Sequence, residues 1–149
     1  MKSESVFQGL DRAFWCKFCA AGAGSVLEWY DFAAFGSLAD VIGDVLLPPS
    51  HSALVDALAV FGAAFLMRPL GAIFIGAIAD AYSRKLALEI SILLMVLPTL
   101  CIAALPSYAF AGNSSTALLV LLRLAQGFFV GAELTTAFVF VYENAPQPR

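Results

Sequence analysis

The chain has 149 residues, 61% of them hydrophobic and only 13% charged, with a net charge of −3 and a mean hydropathy of +0.87. Soluble domains carry about 45–50% apolar and about 25% charged residues, so these figures exclude a water-soluble domain and point to an integral, multi-pass membrane protein. No basic patch of the kind that binds nucleic acid is present, and there is no nucleophile–base constellation, metal-ligand set or phosphate-binding loop. Neither an enzyme nor a metal or cofactor is expected, and the lipid bilayer is the first partner.

Residues 1–17 read as a polar N-terminal tail with Lys2, Arg12 and Lys17. "CKFC" at 16–19 has C-x-x-C spacing, but no second pair or histidine cluster accompanies it, so it reads as small apolar residues at a helix start. The first apolar run, 18–38, continues past the small-residue stretch "AAGAGS" that could end a signal peptide, and is expected to be retained as a helix. A turn-rich loop, "DVIGDVLLPPSHS", leads to the second run at 57–79. The short charged loop "DAYSRK" leads to the third at 86–105, and "PSYAFAGNSST" leads to the fourth at 117–142. Residues 143–149 read as the start of a further loop.

A membrane crossing takes about 20 residues at about 1.5 Å rise each, and these runs lack the alternation of barrel strands. The expected fold is therefore all-α, with four transmembrane helices over 18–142. Lysine and arginine occur in the tail and in the second loop (Arg84, Lys85) and are absent from the first and third loops. The positive-inside rule then predicts both termini in the cytoplasm of a plasma or inner membrane.

The stretch "GSVLEWYDFAAFG" (24–36) puts Glu28 and Asp31 in the middle of the first run. An ionisable group at membrane depth costs about 2.5–3.5 kcal/mol on insertion scales and marks a functional site by default. Their i, i+3 spacing sets both acids on one helix face, where either a cation separates them or one is protonated. Counting rise along each helix puts Asp31 about 10 Å and Arg123 of the fourth run about 9 Å from the outer surface. Arg123 is therefore the expected partner of Asp31, within reach of Glu28, which is the more central acid and the expected proton carrier. Arg68 and Glu133 both fall about 17–25 Å from that surface and are expected to form an inner-half pair. The competing reading of both sets is ion pairs that only fix helix register. Gly71 and Gly76, and Gly127 and Gly131 in "QGFFVG", are expected to allow close helix contact.

Three segments, "LEWYDFAAFG", "RPLGAIFIGAIADAYSRK" and "LLRLAQGFFVGAELTTAFVFVYENAP", resemble the metabolite:proton symporters of the major facilitator superfamily. That family includes carriers for proline and betaine, dicarboxylates, citrate and shikimate. The resemblance implies that Gly76, Asp80, Arg84 and Lys85 form the cytoplasmic gate motif between helices 2 and 3, with Glu143 meeting Arg84. Ala81 stands where the motif has a basic residue, and Ser83 where it has glycine. The second departure implies a strained turn, because glycine alone enters the left-handed region cheaply. "RLAQG" matches the helix 4 motif, which implies a part in proton coupling for Arg123 and Gln126.

The resemblance further implies twelve helices in two halves, with substrate between them. This chain matches only helices 1 to 4. The leading expectation is the N-terminal portion of a proton-coupled carrier for small organic acids or zwitterions, incompetent alone and needing the C-terminal half or another copy. Two alternatives are a small dimeric four-helix carrier centred on Glu28, and a non-transporting membrane interaction protein that pairs with a full-length relative.

Overall fold

The computed structural model describes residues 12–49, 51–143 and 145. The chain is helical, and the described residues contain no strand. Among the described residues the helices are α1 (Arg12–Ser37), α2 (Ala39–Leu46), α3 (Ala53–Ala81), α4 (Arg84–Ala103), α5 (Tyr108–Ala111), α6 (Asn113–Val130) and α7 (Glu133–Glu143). Among the described residues three stretches are long and apolar enough to cross a membrane: Ala53–Ala81, Arg84–Ala103 and Asn113–Glu143. α1, at 26 residues, has the length. Its hydropathy is lowered by the run Glu28–Trp29–Tyr30–Asp31.

Several boundaries differ from the sequence expectation. Helix is already present at Arg12, inside the expected tail. The first loop contains α2, whose Ala39, Gly43 and Leu46 recur every three to four residues and are buried. A single turn, α5, interrupts the third loop. The fourth run is broken at Gly131–Ala132, where the Gly131 N–H donates to the Phe128 carbonyl at 3.3 Å and α7 restarts with Thr136 N–H on the Ala132 carbonyl at 2.9 Å.

Two stripes organise the bundle. On α1 the inward positions are Ala21, Gly24, Glu28, Asp31 and Phe35, alternating in steps of three and four. On α6 and α7 they are Leu119, Arg123, Gln126, Val130, Glu133 and Ala137, all buried. Spacing of this kind keeps one face of a helix against its neighbours over several turns. At the end that carries α2, Phe35, Ala39, Leu47, Ala57 and Leu119 form an apolar cluster. At the α3–α4 end, Ile75, Ala79, Ala87 and Ala132 form another. The polar stripe lies between them.

Lipid tails are as apolar as leucine, so close backbone approach and interhelical polar contacts hold such a bundle together. α3 and α6 show this. A Cβ at Gly71 would collide with the Phe128 carbonyl, one at Gly127 with the Ala64 carbonyl, and one at Gly131 with the Arg68 carbonyl. Gly76, expected to act likewise, has open space where its Cβ would be. It borders a cavity of about 120 Å³ together with Ala72 and Ala132.

Candidate functional site

The α1 stripe answers how two acids sit in one helix. Glu28 is 6% exposed and faces inward, while Trp29 and Tyr30, 68% and 72% exposed, face outward. Each acid has its own cation, from a different helix.

Arg123 of α6 donates from Nη1 to Asp31 Oδ2 at 2.8 Å and to Gln126 Oε1 at 2.8 Å. Gln126, one turn on, donates from Nε2 to the Thr99 hydroxyl of α4 at 2.6 Å and lies 3.4 Å from Asp31 Oδ2. The Thr99 hydroxyl is 3.3 Å from Asp31 Oδ1 and 3.1 Å from the Met95 carbonyl, with one proton to share between them. The guanidinium carbon stands 3.7 Å from the centroid of the Phe35 ring. The two side chains of this pair are only 5% and 15% exposed. A planar guanidinium can donate and stack at once, which an ammonium cannot do. Its Nε is buried without a partner, so the network is tight but not saturated.

Arg68 of α3 places Nη2 2.8 Å from Glu28 Oε1. Its guanidinium carbon lies 4.6 Å from the Phe32 centroid and 4.4 Å from that of Phe65. This site is more open, the arginine side chain being 28% exposed.

The expected pairing of Arg68 with Glu133 is therefore corrected: Arg68 meets Glu28, and Glu133 has no ion pair among the described residues. Rise alone gives depth, not direction. The rings of Phe32 and Phe65 support the guanidinium beside Glu28, while the Glu133 carboxyl fills the space left by the missing side chain of Gly24, beside Ile92.

At the α3–α4 turn, Arg84 Nη2 is 2.7 Å from Asp80 Oδ1, and its Nε is 3.7 Å from Glu143 Oε1. Lys85 lies apart from this trio, its ammonium 3.5 Å from Glu89. Ser83 is not strained. Its φ of −164° is extended backbone, and its hydroxyl caps α4 by accepting from the Leu86 N–H at 3.1 Å. A residue placed in the motif where glycine is usual thus serves here as a helix cap.

Sequence reasoning missed Thr99, Phe35, Phe32, Phe65 and Gly24. Thr99, a hydroxyl after Pro98 in an apolar run, carried a readable signal, since hydroxyls inside membrane helices commonly bond across to neighbours. Cys16, Cys19 and Cys101 are free and exposed. Among the described residues no group of three or more potential ligands could hold a metal.

The arrangement places two charge pairs, each bridging α1 to another helix, inside an apolar bundle. Such pairs can trade a cation for a proton without changing the net charge. Known proteins similar to this chain are transporters. The sequence profile of the family described as "Sugar (and other) transporter" matches residues 16–148. The glycine betaine/proline/ectoine/pipecolic acid transporter of Dickeya dadantii (strain 3937) is 43% identical over 132 residues, which cover 87% of this chain and 26% of that protein. The proline/betaine transporters of Salmonella typhimurium (strain LT2) and Escherichia coli (strain K12) are 43% and 42% identical, with the same coverage. The chain thus spans about a quarter of the length of these relatives. No solved structure matches it. On the extent of the profile match the chain belongs to the sugar (and other) transporter family of the major facilitator superfamily, and it is an integral membrane protein.

Proposed function

We propose that these helices are the first four membrane crossings of a proton-coupled secondary transporter for small zwitterionic or acidic metabolites, of the proline and betaine type. The observation that carries this reading is the buried Arg123–Asp31 pair with Gln126 and Thr99 around it, joining three helices through charge in an apolar interior. The names of the relatives support the substrate class. In this reading α1 is a crossing despite its lower hydropathy, because Arg68 and Arg123 offset its acids. Both termini are cytoplasmic, Arg84 with Asp80 and Glu143 forms the cytoplasmic latch, and the membrane is a plasma or inner membrane. The described helices make one wall of the substrate path. The opposite wall comes from a second half or another copy, so the 149 residues do not transport alone.

The test is a chimera in which residues 20–143 replace the matching part of the Escherichia coli relative, reconstituted in proteoliposomes. Proline or glycine betaine should accumulate when a proton gradient is imposed. Asp31→Asn should abolish that accumulation while leaving counterflow exchange. Uptake indifferent to the gradient would overturn proton coupling. Gradient-driven uptake by the 149-residue chain alone would favour a small oligomeric carrier. In a cysteine-free background, a Ser52→Cys variant should label from outside and a Ser83→Cys variant should not; the reverse pattern would overturn the topology.

A further inference from the structure

One acid in the bundle takes no part in either pair. Glu133, the first residue of α7, is 0% exposed, and among the described residues neither carboxyl oxygen has a hydrogen-bond partner. Its place is built. Gly24 of α1 leaves the room its Oε1 occupies, and Ile92 of α4 closes the same space, 2.9 Å from where a Gly24 Cβ would be. Among the described residues, the charged groups that face it are Glu28 from α1 and Arg68 from α3. α4 offers neither a charge nor a free donor: the Ser91 hydroxyl donates to the Ala87 carbonyl, and Lys85 lies at Glu89 near the helix end. On α6, Arg123 is taken by Asp31.

The charges can be counted. Three carboxyls, Glu28, Asp31 and Glu133, share the apolar interior with two guanidiniums, and each guanidinium is 2.8 Å from an acid other than Glu133. A carboxylate without a cation or donor in such a place is an uncompensated buried charge, which costs far more than a paired one. Adding one proton removes it and leaves the interior neutral.

We infer that Glu133 carries a bound proton, and that this residue, set against Gly24 one helical turn from Glu28 on the α1 stripe, is the seat of the coupled proton. Binding adds one H⁺ to the carboxylate and cancels one negative charge. Release returns that H⁺ to water and leaves a charge that the closed bundle does not compensate. Release therefore requires the α1–α7 seam to open. A cavity of about 230 Å³ lies along this seam, flanked by Ser25 and Leu134, the chain neighbours of Gly24 and Glu133. Gly24 is the positioning residue, since any side chain there displaces the carboxyl.

The inference rests on the proton-coupled reading, but its first test does not need transport. The full chain in lipid at neutral pH should show the infrared carbonyl band of a protonated carboxylic acid, shifted when glutamate is labelled with carbon-13 at the carboxyl. The band should vanish in Glu133→Gln and persist in Glu89→Gln and Glu143→Gln, which leave the interior charges unchanged. Absence of the band from the unmodified chain overturns the inference without any variant, as does a band that survives Glu133→Gln. In the chimera, Glu133→Gln should lose gradient-driven accumulation and keep counterflow. A band on Glu133 with gradient-driven uptake intact in that variant would make the proton structural and overturn its coupling role. Chimera uptake that ignores the gradient even with Glu133 in place would instead fail the transport reading.

Discussion

The two buried arginines make opposite sites from similar parts. Arg123 is enclosed, with Asp31, Gln126 and Thr99 in one hydrogen-bonded set and Phe35 under its plane. Arg68 is half open, with one acid and two flanking rings, Phe32 and Phe65. A buried pair that others brace has one geometry, and moving it breaks several bonds at once. A pair with a single bond and an accessible cation can part at lower cost. The comparison assigns rigidity to the Arg123 site and mobility to the Arg68 site, although both tie to the same face of α1.

Arg123→Ala is the sharpest way to break that contrast. It strips Asp31 and Gln126 of their donor in a closed site and should cost about 3–5 kcal/mol of stability, measured by unfolding in detergent or lipid. Arg68→Ala should cost less, about 1–3 kcal/mol, because it removes one hydrogen bond from a site whose arginine is already partly open. Equal losses would erase the distinction. Next is Gly71→Ala, whose methyl group meets the Phe128 carbonyl. It should push α3 off α6, cost about 1–3 kcal/mol, and separate the two arginine sites without touching either.

Arginine-to-lysine exchange sharpens the comparison further. Arg123→Lys keeps the charge but loses the planar fork and the stacking on Phe35, for about 1–2 kcal/mol, whereas Arg68→Lys should be milder. Thr99→Val should cost about 1 kcal/mol through the Gln126 and Asp31 contacts, read as a drop in melting temperature. Asp80→Asn, at a carboxylate 68% exposed, should change stability by at most about 1 kcal/mol, and less as salt is added. A loss there as large as that of Arg123→Ala would mean that exposure does not rank these pairs.

Much of this was legible in residue order. Long apolar runs separated by charged or turn-forming segments mark the helices, since a membrane crossing demands length and hydropathy together. Rise counted along two helices put Asp31 and Arg123 at one depth, and their side chains meet at 2.8 Å. The same count gave Arg68 and Glu133 similar depths and the wrong partnership, because depth is one coordinate and rotation about the helix axis is another. Gly24 decided that rotation through an absent side chain, and absence leaves no chemical signature in a sequence. α2 was hidden for a different reason: its acids and the nearby Pro48–Pro49 read as loop, while Ala39, Gly43 and Leu46 line a face too short for a period to stand out. Ser83 shows that one position of a motif can be filled by different means, a cap in place of a turn.

The sequence separations of the two pairs set a timetable. Glu28 and Arg68 are 40 residues apart, and Asp31 and Arg123 are 92 apart. During synthesis α1 reaches the membrane carrying both acids before either cation has been made. At about 5–20 residues per second, Asp31 waits roughly 5–20 s for Arg123, and Glu28 less than half as long for Arg68. Over that interval the first helix is the one least suited to lipid, and on the proposed topology it becomes a settled crossing only as later helices arrive. Insertion of this bundle is thus a cooperative event in time, with α6 delivering the charge that lets α1 stay.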